Sequence, residues 1–171
     1  MANKETRIES DLIGSKEVPE NVLYGVQTLR GIENFPISNF KLSQYPLFIK
    51  ALAIIKKGAA IANHQLELLD NELFKAITQA CDEIIAGKHH EFFPIDMIQG
   101  GAGTTANMNA NEVIANRALE IMGHKRGQYE YCSPNDHVNR SQSTNDAYPS
   151  AIHIGLYYTH IELIEHLKSL V

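Results

Sequence analysis

Two stretches gather side chains whose chemistry suits a small, oxygen-rich anion: "GGAGTTANMNAN" at 100–111 and "SPNDHVNRSQSTNDAYP" at 133–149. In the second, only Val138, Ala147 and Tyr148 are apolar, prolines apart. Hydroxyls and carboxamides donate and accept hydrogen bonds without titrating near neutral pH, so such a set can hold an anion without a competing charge. Pro149 fits the first turn of a helix, which predicts that Ser143, Thr144 and Asn145 lie in the approach loop beside unpaired N–H groups that attract anions. Ser143 and Asp146 also spell S-x-x-D, a capping box, so capping is an equal rival role for Ser143. In the first stretch Thr104 and Thr105 are followed by Asn107, Asn109, Asn111 and Asn116. Asn is a poor helix-interior residue whose amide needs partners, and local caps and turns are the plain alternative for Asn107 and Asn109.

Other chemistries fit less well. Gly101, Gly103 and Ala106 match G-x-G-x-x-A, with Glu130 as a conceivable ribose acid. Pro94 and Asp96 would interrupt the strand that must precede the loop, however, and no further strand and helix alternation follows to build a parallel sheet. A Walker loop lacks its Gly-Lys-Ser/Thr. The eight histidines form no HExxH and the two cysteines no CxxC, so no metal site is expected; His153 and His160 share a helical face, and His89 and His90 read as solvent-exposed after a helix end. Asp136 and His137 lie close in sequence to Ser141 and Ser143, yet no G-x-S-x-G elbow presents a nucleophile. Cys81 and Cys132 read as free thiols.

These residues need elements to hold them. The first 40 residues, broken by Gly14, Pro19, Gly25, Gly31 and Pro36, predict short strands and turns. From Pro46, "LFIKALAIIKKGAAIANHQLELL" predicts a long helix with small alanines for close packing. Asp70 is a fitting N-cap for a helix ending at Gly87, and another helix is predicted from about Asn109 to Met122. After Pro149 the apolar residues Ile154, Tyr157, Ile161, Ile164, Leu167 and Val171 form one stripe, and no cap ends that helix, so it is expected to continue beyond Val171.

A chain of 171 residues with 44% hydrophobic composition can bury a real core. Its net charge of −5 argues against a nucleic-acid or anionic-membrane partner, which would call for clustered Lys and Arg. No apolar run reaches a spanning length, and the N-terminus lacks a signal pattern, so a cytoplasmic protein is expected.

Taken together, "GGAGTTANMNANEVIANRALEIMG", "SPNDHVNRSQSTNDAYP" and the upstream "VPENVLYGVQTLRGIENF" resemble the fumarase and aspartase superfamily over essentially the whole chain. Thr144 and Tyr148 in "SQSTNDAYP" lean toward its aspartases, since class II fumarases usually carry "SQSSNDTFP". The resemblance implies a mainly α fold in three domains. Residues 1–140 would supply the N-terminal, mostly helical domain, and 141–171 the substrate-binding loop and the start of the first helix of a long-helix bundle that forms a homotetramer. It implies reversible conversion of L-aspartate to fumarate and ammonia through an aci-carboxylate, with no cofactor, and substrate binding by Thr104, Ser143, Thr144 and Asn145. Thr104, Ser143 and Thr144 would donate to the growing charge, and Asn145 would hold the amino group. The family's catalytic serine, on a G-S-S-x-M-P loop, its His-bearing helper motif and its substrate-binding Lys have no counterpart here, so the 171 residues alone are expected to be inactive. Fumarases place a His where Ser133 stands, which argues against a second dicarboxylate site near Asn135 and Asp136. A class II fumarase acting on L-malate, and a non-catalytic helical module assembling through 149–171, are the competing readings.

Overall fold

The computed structural model describes residues 5–170. Strands β1 (Thr6–Asp11) and β2 (Gly14–Pro19) form an antiparallel hairpin in which Thr6 faces Pro19 and Asp11 faces Gly14. The rest is helical: α1 (Val26–Asn34), α2 (Pro46–Gln65), α3 (Asn71–Ile85), α4 (Thr104–Ile121) and α5 (Thr144–Lys168). The fold is mainly α, as the sequence predicts. Helix α2 lies between α3 and α5, and α4 packs on α3 and α1.

The first 40 residues depart from the expected strands and turns, because they include α1. Gly25 and Gly31 read as breakers, yet each is needed where two elements touch. A Cβ on Gly31 would run into Thr105 Cγ2, and one on Gly25 would lie 2.5 Å from Glu9 Oε2 and from the Tyr129 hydroxyl. The four N–H groups that open α1 are satisfied from outside the helix: Gly25, Gln27 and Thr28 donate to Glu112 at 2.9, 2.8 and 3.0 Å, and Val26 donates to Glu9 Oε2 at 2.9 Å. No local pattern announces a helix capped by residues 17 and more than 80 positions away. Arg7 ties the hairpin to this helix by donating to the carbonyls of Pro19, Val22 and Tyr24.

Helix α2 begins with Pro46 at its first position and buries Ala51, Ala53 and Ala60, which lets α3 and α5 approach. Asp70 caps α3 by accepting from Leu73 N at 2.9 Å, as its position predicts. Ile49, Leu52, Ile77, Ile84, Ile114 and Leu119 form the centre of one continuous core.

Helix α4 starts five residues before the expected Asn109. Thirteen of its eighteen residues are buried, so its polar side chains must find partners in the interior. Asn109 Nδ2 donates to Phe92 O (2.9 Å), and Asn116 Nδ2 donates to Leu23 O (2.8 Å) and to the Tyr129 hydroxyl (3.0 Å). The asparagines are therefore long-range staples, not local caps.

Helix α5 also begins earlier than expected. Pro149 is its sixth residue, and the lost bond is the one its N–H would have made to Asn145 O. On its apolar stripe Ile154 packs against the core, while Tyr157, Ile161, Ile164 and Leu167 are exposed; Val171 lies outside the described residues. His153 and His160 are exposed on the same helix. His89 and His90 are half-buried where the sequence suggests exposure, because the chain folds back on the end of α3: His89 Nε2 donates to Glu83 (2.8 Å) and His90 Nε2 to Ile84 O (2.9 Å). Cys81 and Cys132 are free and buried, and burial pushes both thiols up to about 12. Among the described residues no helix is long and apolar enough to cross a membrane.

Candidate active site

The Gly-rich loop is a left-handed turn. Gly101, Ala102 and Gly103 have φ of 71, 49 and 95°, and Ala102 pays about 1 kcal/mol for carrying a Cβ there. Two features seat the turn. Gly100 lies against the Phe35 ring, where a Cβ would approach to 2.8 Å, and Gln99 Oε1 accepts from Ala106 N at 2.7 Å, capping the start of α4. Thr104 is thereby held at the first position of α4, exposed, with its hydroxyl donating to Gly101 O at 2.6 Å. No parallel sheet adjoins the loop; the segment before it is irregular, and Glu130 is exposed in a turn, which removes the dinucleotide reading.

Ser143 is the N-cap of α5, and Thr144 and Asn145 are its first two residues, which corrects the expectation of an approach loop. The capping box is real: Ser143 Oγ accepts from Asn145 N (3.1 Å) and Asp146 accepts from Ser143 N (3.3 Å). The two rival roles for Ser143 are compatible, because capping uses the oxygen as acceptor and leaves the hydroxyl proton to donate. Among the described residues neither the Thr144 hydroxyl nor the Asn145 carboxamide has a hydrogen-bond partner. Ser143 and Asn145 are exposed and Thr144 is half-buried.

The two donor groups meet through Gly103 and Tyr148. The ring of Tyr148 covers the α-carbon of Gly103 so closely that a Cβ would fall inside it. Thr104, next to Gly103, and the capped end of α5 thus form one surface. Both helices present their N-terminal, positive ends there, in a region whose side-chain donors are uncharged.

Beneath it lies a residue that the sequence gives little reason to choose. Lys56 is fully buried on α2 and donates to Asn107 Oδ1 (2.6 Å), Asn139 Oδ1 (2.8 Å) and Gln142 Oε1 (3.0 Å). Burial pushes its ammonium down to about 7, against which three amide oxygens use all three protons of the charged form. Asn139 Oδ1 also accepts from Asn107 and Asn111, and Asn63 Nδ2 donates to Arg140 O at 2.9 Å. Ser141, at φ 60°, turns the chain inside this network. The network fixes 139–142, the residues that lead into Ser143. Amphipathic spacing only marks Lys56 as one of two adjacent lysines; its acceptors lie 51 to 86 positions away.

Two buried carboxylates organise the other side. Burial, opposed by bonds from Thr28 and Gln27, pushes Glu112 up to about 7, with the charge of Glu9 adding to the rise. Asp96 accepts from the backbone N–H of Ile37, Ser38, Asn39 and Ile98, and from the Ser38 hydroxyl, which holds it down at about 2. It anchors the loop just before the Gly-rich turn. His137 Nδ1 accepts from Ser133 N, and the Ser133 hydroxyl donates to Asp136, so no triad forms on Ser141 or Ser143.

Comparison with known proteins relates the sequence and the fold to one group of enzymes. The aspartate ammonia-lyase of Helicobacter pylori strain J99 is 59% identical over 164 residues, 96% of this chain and 35% of that protein. That of Escherichia coli K12 is 52% identical over 165 residues, 96% of this chain and 34% of its own length. A fumarate lyase:delta crystallin structure from Brucella melitensis superposes with a TM-score of 0.89 at 51% identity, covering 90% of this chain and 36% of that one. Recombinant class II fumarase from Schistosoma mansoni superposes with a TM-score of 0.81 at 36% identity, over 88% and 32% of the two chains. The chain thus spans about a third of the length of the curated relatives it matches. The sequence profile of the lyase family matches residues 14–171, and the chain belongs to that family.

Proposed function

We propose that these residues form one wall of the active site of an ammonia-lyase that converts L-aspartate reversibly to fumarate and ammonia. The observation that carries this reading is the contact of Tyr148 with Gly103, which joins Thr104 to the capped end of α5 in one uncharged donor surface. The 52 to 59% identity to aspartate ammonia-lyases supports the choice of substrate.

Removing the proton next to a carboxylate leaves a dianionic aci-carboxylate, and fixed donors aimed at its oxygens stabilise the transition state more than the ground state. Thr104, Ser143 and Thr144 supply those donors, each worth about 3 kcal/mol when it points at developing charge. Ser143 can donate as it stands. Thr104 must turn its hydroxyl away from Gly101 O. The Asn145 amide oxygen accepts from the substrate ammonium and fixes the carbon–nitrogen bond to be broken. His137 and Lys56 are engaged elsewhere, so the base comes from another segment, and the 171 residues alone release no fumarate. The whole protein acts in the cytoplasm as a homotetramer, in which the exposed apolar residues of α5 are covered.

The test is Thr104→Ala in a protein that carries these residues at the full length of its relatives. We expect kcat/KM for L-aspartate to fall about a hundredfold. An unchanged value would remove Thr104 from the site. The shared fold with class II fumarase makes L-malate the control substrate, and faster fumarate release from L-malate than from L-aspartate would reassign the activity.

A further inference from the structure

We propose that Tyr148 is a positioning residue of the substrate site: by resting on Gly103 it sets the distance between the Thr104 hydroxyl and the donors at Ser143 to Asn145. The proposal rests on the ammonia-lyase reading and adds a residue to it that touches no substrate.

Each side of the contact is stiff. Gly103 is buried at φ 95°, between a left-handed turn and a helix whose start is capped by Gln99. Tyr148 stands on α5 one turn after the capping box, so its backbone moves only with the Ser143 end of that helix. Its ring is backed by Phe48 of α2, edge to face, with centroids 5.5 Å apart and planes at 72°. Further along, Gly155 presses α5 onto the same residue: a Cβ there would sit 3.4 Å from Phe48 Cα. The ring therefore cannot retreat into α2, and α5 is held in place on its far side.

A wedge between two rigid helix ends fixes their separation. Thr104 is one residue from the wedge on one side, and Ser143 to Asn145 lie within five residues of it on the other. Glycine at 103 is required twice, by its φ and by the absence of room for a Cβ. Displacement of one donor set by about 1 Å is enough to cost on the order of a hundredfold in rate when both sets must meet one anion.

The experiment is a size-exchange cycle in the full-length protein, with kcat and KM for L-aspartate measured per folded active site and thermal melting followed for each variant. Gly103→Ala and Tyr148→Leu should each raise KM and lower kcat/KM by about tenfold or more. Tyr148→Phe, which keeps the ring, should restore kcat/KM to within about twofold of the parent. The added methyl needs the space the ring occupied, so Gly103→Ala combined with Tyr148→Leu should be no worse than the poorer single variant. A merely structural fault would lower the melting temperature and the folded fraction while leaving KM and the kcat per folded site unchanged. Independent multiplication of the two effects, or a Tyr148→Leu enzyme within about twofold of the parent while Thr104→Ala is impaired, would overturn the proposal. If Tyr148→Leu does not fold, Gly103→Ala against Tyr148→Phe still decides it, since only the clamp predicts a raised KM in the first and none in the second. Failure of the ammonia-lyase reading is distinguished by the parent itself, which would then release no fumarate from L-aspartate, or release it faster from L-malate. Unaltered kinetics in Thr104→Ala would remove Thr104 from the site and overturn the proposal that Tyr148 sets its distance.

Discussion

Lys56 Nζ lies 2.6 Å from Asn107 Oδ1, joining the middle of α2 to the first turns of α4 beneath the donor surface. The same ammonium reaches Asn139 and Gln142, so three elements that are far apart in sequence depend on one buried cation. All its partners are neutral amides. The Lys56 network therefore orders the segment before Ser143 without a carboxylate of its own.

Lys56→Met should leave three amide oxygens short of a donor and cost about 1 to 3 kcal/mol, partly offset because a buried charge is also removed. The residues loosened are 139–142, immediately before Ser143. We expect a lower melting temperature and a higher KM for L-aspartate in the full-length protein. An unchanged KM would show that the network serves stability alone.

Glu112 sets a pH dependence whose sign follows from its environment. Its folded-state value of about 7 lies above the ordinary 4.5, so the folded chain takes up a proton on acidification before the unfolded chain does. The contribution to stability is complete below pH 4.5 and is lost as the pH rises through about 7. Urea unfolding at pH 5 and pH 8 should reveal this slope in the parent and a flatter one in Glu112→Gln. Equal slopes would mean that the carboxyl titrates normally.

The capping role of Ser143 and its proposed donor role can be separated by substitution. Ser143→Asp keeps a good N-cap for α5 but exchanges a donor for a negative charge. Melting should stay within a few degrees of the parent while kcat/KM collapses, whereas Ser143→Ala should lose about 1 kcal/mol of stability as well as activity. Retained activity in the Asp variant would show that the side chain only caps.

Asp70→Ala removes the cap on Leu73 N and should destabilise α3 by about 1 kcal/mol, with kinetics unaltered because α3 does not reach the donor surface. Denaturation midpoints together with steady-state rates check both halves. A changed KM would reveal coupling between α3 and the site.

The residues proposed to carry the chemistry were legible in the chain because their types are unusual: a run of hydroxyls and amides before a helix, and a Gly-rich turn before another. Helices α2 and α3 were equally legible, since apolar spacing, Pro46 and Asp70 are local signals. Local signals also misled. Pro149 suggested a helix start that Ser143 and Asp146 set a turn and a half earlier, because a proline inside the second turn forfeits only one hydrogen bond.

By itself, then, the sequence determined the donor set, the major helices and the kinship of the chain. Tertiary structure alone decided which of those donors share a surface, because that depends on contacts with no local signature. The Tyr148 ring on Gly103, the Lys56 ammonium among three distant amides, and the Glu9 and Glu112 carboxylates at the start of α1 all form between segments that meet only when the core closes. Buried polar groups must find partners wherever the fold brings them, and no periodicity records the address.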